Sequence, residues 1–100
     1  MLLNEALEKV INNLKNKNFE LSKHFKQRMD ERFIEKEELV NIFSYNELVS
    51  FQKQNKNLYK LLYYYNSKKD LAIIVNTQKE IKLVTVYTVD NSKRIRQNEK

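Results

Sequence analysis

The stretch Ser22-Lys23-His24-Phe25-Lys26-Gln27-Arg28-Met29-Asp30-Glu31-Arg32-Phe33-Ile34 holds the one histidine of the chain and two of its four arginines. His24, Arg28 and Arg32 recur at every fourth residue, a spacing that puts side chains on one side of an α-helix. Phe25 and Met29 fall on a neighbouring side and pack inward. The helix therefore carries an apolar stripe beside a row of one imidazole and two guanidinium groups. Imidazole exchanges protons near neutral pH, and guanidinium holds phosphate through paired N–H groups. Such a row suits a phosphate-rich partner better than a protein core. The same residues also admit a structural role. A histidine on an amphipathic helix often bonds a backbone carbonyl, and Arg28 has Asp30, Glu31 or a sheet carboxylate to pair with.

Composition narrows the chemistry. One hundred residues make a single domain, read as residues 1–90 followed by a basic tail at 91–100. Hydrophobic residues are 41% and charged residues 32% of the chain, the balance of a folded domain rather than a disordered one. The chain has no cysteine and one histidine, which excludes a disulfide framework, a thiolate site and a histidine-built zinc site. Glycine is absent, so no Gly-rich phosphate-binding loop exists and no nucleotide cofactor is expected. No signal-peptide pattern opens the sequence, and no apolar run approaches the ~18 residues that span a bilayer. A cytoplasmic location with no membrane contact is the expectation. The net charge is +6 and unevenly placed: residues 1–50 sum to −1 and residues 51–100 to +7. A basic surface built mainly by the second half points to an anionic partner, RNA or DNA first, against the plainer reading of a solvated lysine-rich surface.

The elements that must position these residues can be read from periodicity. Leu3, Leu7, Val10, Ile11 and Leu14 predict an amphipathic helix over residues 3–16. Ser22 is the N-cap of the second helix, which ends near Arg32-Phe33. A third helix opens at Glu35-Lys36-Glu37-Glu38, where clustered acids favour the positive end of the dipole, and runs to about Phe43. The period then changes to that of strands, at residues 48–52, 58–65, 71–75 and 81–89. The run Leu71–Val75 is apolar on both faces and hence central. Short links predict sequential antiparallel hairpins. With neither glycine nor proline in the chain, the turns fall to residues such as Asn55, Asn57, Asn66 and Asn76. The expected architecture is α+β: N-terminal helices followed by a four-stranded antiparallel sheet, with the helices on one face. Tyr59, Tyr63, Tyr64, Tyr65 and Tyr87 read either as base-stacking rings on a basic sheet or, more simply, as strand residues that bury a ring and keep a wet hydroxyl.

Helices followed by four antiparallel strands resemble the RelE/ParE superfamily of toxins from toxin-antitoxin systems. One member family, of uncharacterised function, matches in two blocks. The first is Ser-x-His-x3-Arg-Met-x2-Arg followed by Ile and an acidic helix start, here Ser22 to Ile34. The second is a strand like Ile-x-Leu-Val-Thr-Val-Tyr, here Ile81-Lys82-Leu83-Val84-Thr85-Val86-Tyr87. The similarity spans about residues 20–90. One departure is Phe33, where that family usually has glycine; a bulky residue replaces a helix terminator.

The resemblance implies a microbial-ribonuclease-like fold and an endoribonuclease that cuts mRNA, free or ribosome-bound, without a metal or other cofactor. A 2′-hydroxyl would attack the adjacent phosphate, which requires a base, an acid and cations for the charged transition state. His24 would be the base or acid, with Arg28 and Arg32 on the phosphate. Thr85 and Tyr87 would add hydrogen bonds from the last strand, and Lys60 and Lys82 positive charge from the sheet. An acidic, partly disordered antitoxin would hold the protein inactive. The rival expectations are a non-catalytic member of the same fold that binds RNA or inhibits a protein such as gyrase, and a small interaction domain whose basic face meets an acidic protein.

Overall fold

A computed structural model describes residues 5–91, so the tail expected at 91–100 lies, apart from Asn91, outside the described residues. Three helices, α1 (Glu5–Lys15), α2 (Lys23–Glu31) and α3 (Lys36–Tyr45), share the chain with strands β1 (Glu20–Leu21), β2 (Leu48–Asn55), β3 (Leu58–Tyr64), β4 (Lys69–Asn76) and β5 (Lys82–Asp90). The sheet order is β1-β5-β4-β3-β2. β2 through β5 form the antiparallel meander that the short links predict. β4, the apolar run, is buried on both faces from Asp70 to Val75 and lies in the middle of the sheet.

The expected sheet needs one correction: it is five-stranded and mixed, not four-stranded and antiparallel. Glu20 and Leu21 pair in parallel with Lys82 and Leu83 of β5. Two residues are too few to show the alternation by which a strand is recognised, so they read as a lead-in to α2.

One core joins the helices to the sheet. Leu7, Val10 and Leu14 of α1, Phe25 and Met29 of α2, and Leu39, Ile42 and Phe43 of α3 pack with Tyr59, Leu61, Tyr63, Leu71, Ile73, Val75, Leu83 and Val86. Phe43 makes edge-on ring contacts with Phe19 and Tyr63, centroids 5.7 and 5.4 Å apart. Leu62, Ala72 and Ile74 are also buried, but alternation turns them to the opposite face. The tyrosines of β3 mostly follow the simpler reading: Tyr59 and Tyr63 are core residues, while Tyr64 is partly exposed on the far face.

The turns are asparagine turns of one kind. Asn55 Oδ1 accepts from the N–H groups of Asn57 and Leu58, Asn66 Oδ1 from Lys68 and Lys69, and Asn76 Oδ1 from Gln78. A carboxamide that captures downstream N–H groups supplies the turn without glycine. Among the described residues, the two left-handed ones are not asparagines but Lys17 (φ 64°) and Phe33 (φ 56°). No helix of the described residues is long and apolar enough to cross a membrane.

Candidate functional site

The row on α2 is held in place by Ser22. Its Oγ accepts from Phe25 N–H at 3.0 Å, the N-cap bond, and donates to the Val84 carbonyl at 2.9 Å. Its backbone N–H reaches the Leu83 carbonyl at 3.0 Å. One residue therefore caps α2 and fastens its start to β5. The apolar pair Phe25 and Met29 then presses the helix onto the core. At the far end Arg32 is the C-cap and Phe33 follows in the left-handed region. Phe33 N–H donates to Asp30 O at 3.2 Å and Ile34 N–H to Met29 O at 2.9 Å, the paired bonds of a Schellman stop. Ile34 and Met29 are both buried, which supplies the apolar contact of that motif.

This geometry leaves His24 exposed and Arg28 and Arg32 half-buried, with successive Cα atoms ~6 Å apart along the axis. Arg28 Nε donates to His24 Nε2 at 3.4 Å, and Arg28 Nη1 meets Glu31 Oε1 at 3.1 Å. The result is an open chain of imidazole, guanidinium and carboxylate. The first link is long, so the Nε2 lone pair is lightly engaged. The other N–H groups of Arg28 have no partner among the described residues, and Arg32 Nε is buried without one. Lys23 and Lys26 add exposed cations to the same helix, against Asp30 and Glu31. The segment is basic and open to solvent, and the free N–H groups of Arg28, not the buried Arg32 Nε, are the donors within reach of a phosphate diester.

The remaining candidates stand elsewhere. Lys60 and Thr85 both lie opposite Ile74, one on each side of β4, and Tyr87 lies opposite Ala72. Ile74 and Ala72 face away from the helices, so Lys60, Thr85 and Tyr87 share the far face. Lys60 Nζ sits 5.7 Å from the centre of the Tyr87 ring, a cation–π contact. Lys82 is exposed at the start of β5, beside Glu20 and Asn76, and lines a hollow of about 320 Å³ with them, Gln78, Lys79 and Glu80. The structure thus brings His24 and Arg28 onto one helix with Arg32 at its C-cap, and Lys60, Thr85 and Tyr87 onto one sheet face. The thickness of the sheet separates the two sets.

A bulge makes that separation unreadable from spacing. Val75 opposes Leu83 and Ile74 opposes Thr85, so Val84 is inserted. Leu83 and Val86, three residues apart, therefore both face the core. Sequence reasoning considered the Arg28–Glu31 pair but not the exposure of Phe33 and Tyr45, whose side chains are 90% and 83% accessible. The available signal for Phe33 is its place at a helix stop where the resembled family has glycine, a position that takes left-handed backbone, here φ 56°. No group of three or more His, Asp or Glu side chains among the described residues is arranged to hold a metal ion.

No curated protein and no solved structure matches the chain. A family profile does, over residues 5–75, from the start of α1 nearly to the end of β4. The α2 row lies inside that span, and Thr85 and Tyr87 lie beyond it. On this match over most of its length, the chain belongs to the MJ0788 family.

Proposed function

We propose that the protein is a RelE/ParE-like, toxin-type endoribonuclease that cuts mRNA by metal-independent attack of a 2′-hydroxyl. The observation that carries this reading is the open His24–Arg28–Glu31 chain on a basic helix. A phosphate arriving at Arg28 competes with Glu31 and His24 for the guanidinium. As Arg28 turns to the phosphate, the Nε2 lone pair is released to take the 2′-hydroxyl proton. The 2′-oxygen then bonds to phosphorus, the P–O5′ bond breaks, and the imidazolium returns the proton to the departing 5′-oxygen. The products are a 2′,3′-cyclic phosphate and a 5′-hydroxyl, with no net proton change. Arg28 and Arg32 balance the charge that develops on the phosphate oxygens. An acidic antitoxin segment is the natural inhibitor of such a surface.

One observation favours a second reading. Thr85, Tyr87 and Lys60 stand across the sheet from His24, so they lend no acid or hydrogen bond to it. A single imidazole without a partner acid also fits a non-catalytic member that binds RNA, or one that inhibits a protein such as gyrase. Induced expression separates the readings. Wild type should arrest growth with loss of intact mRNA, while folded His24→Ala and Arg28→Ala variants should do neither. Arrest with DNA damage and intact mRNA would favour the gyrase version, and harmless expression would overturn the toxin reading.

A further inference from the structure

The α2 row ends on a residue that the fold does not explain. Phe33 occupies the C′ position of a Schellman stop at φ 56°, where glycine, lacking a Cβ, is the default. A bulky side chain there is a genuine outlier. Packing offers no compensation, because the ring is 90% accessible and is the most exposed large apolar side chain among the described residues. Neither backbone geometry nor core burial selects phenylalanine at this site. What the ring does have is its neighbourhood. It directly follows Arg32, one turn beyond Arg28, at the end of the cationic row.

We infer that Phe33 is a stacking platform for an unpaired base of single-stranded RNA whose phosphates lie along Arg28 and Arg32; this rests on the RNA reading above. A base has an apolar face and a charged tether, and the site offers the matching pair, an exposed ring beside the guanidinium groups of Arg32 and of Arg28, the latter with N–H groups left free among the described residues. The α2 side of the ring is net cationic, with Lys23, Lys26, Arg28 and Arg32 against Asp30 and Glu31, which favours a nucleic-acid strand running along α2 and away from the acidic start of α3 at Glu35, Glu37 and Glu38.

The test is binding of a labelled, unstructured RNA hexamer at fixed ionic strength, with each variant checked by thermal melting. Stacking on one aromatic ring is worth ~1–3 kcal/mol per base, so Phe33→Leu and Phe33→Ala should bind about 5- to 150-fold more weakly. Phe33→Trp should bind as wild type does. The chain has no tryptophan, so the introduced indole reports alone, and its fluorescence should be quenched by RNA. The slope of affinity against salt should be unchanged in all three, because phosphate contacts set it. If wild type binds RNA and the Leu and Ala variants bind equally well, the stacking role is overturned while the RNA reading stands. If Leu serves as well as Phe but Ala does not, apolar bulk rather than ring stacking supports the RNA, and the stacking role is overturned. If wild type binds no RNA, both readings fall.

Discussion

Replacing Phe33 by glycine and by alanine should reverse the usual ranking of those two residues. Left-handed backbone costs an L-residue ~1–2 kcal/mol, and alanine pays it as phenylalanine does. Glycine avoids that term but loses ~0.4–1 kcal/mol through the greater freedom of its unfolded chain. Little packing is at stake, because the Phe33 ring is 90% accessible in the wild type. The difference leaves Phe33→Gly more stable than Phe33→Ala by about 1 kcal/mol, or about 4–8 °C in melting temperature for a domain of this size. Gln27, exposed in the interior of α2, is the control. There the Gly variant should be less stable than the Ala variant by about 1 kcal/mol. Thermal melting followed by circular dichroism measures all four. If Phe33→Ala melts at or above Phe33→Gly, the left-handed stop is not formed and the stacking argument loses its premise. The same Gly variant should bind RNA more weakly than wild type, trading function for stability.

Ser22→Ala removes both the N-cap bond and the tie to Val84, and should cost ~1–3 kcal/mol of stability, measured by denaturant unfolding. Tyr63→Phe should stabilise by about 1 kcal/mol, since the hydroxyl is buried with no hydrogen-bond partner among the described residues. Burial also pushes the Tyr63 phenol well above its usual range. The stability tied to its neutral form is complete below about pH 10 and falls above it, where the unfolded chain sheds a proton that the folded chain keeps. Tyr63→Phe should therefore show a smaller alkaline loss, with a residue left by Tyr65, whose phenol is raised by burial and by the Glu38 carboxylate.

Local signals carried most of the fold. Ser22 is the N-cap of α2 because a hydroxyl before an amphipathic run meets a free N–H. The apolar run Leu71–Val75 is central because both its faces need cover. Asn55, Asn66 and Asn76 make turns because their side chains bond their own backbone. What the sequence concealed is non-local. Glu20–Leu21 becomes a strand only because β5 is there to receive it in parallel. Val84 bulges only against β4, and that insertion fixes which face Thr85 and Tyr87 occupy. The four-residue spacing of His24, Arg28 and Arg32 revealed their common helix. No spacing revealed that the sheet stands between them and Thr85, Tyr87 and Lys60.

The decisive measurement is the chemistry of RNA ends. Purified protein is incubated in EDTA with an mRNA fragment, both free and engaged by ribosomes in a chelator-tolerant stalled complex, and the fragments are analysed by mass spectrometry. Wild type should leave 2′,3′-cyclic phosphate and 5′-hydroxyl ends. His24→Ala should leave the RNA whole while melting as wild type does, because the His24 side chain is exposed. Uncut RNA in both settings with wild type, or equal cutting by folded His24→Ala, would contradict an endoribonuclease centred on the α2 row.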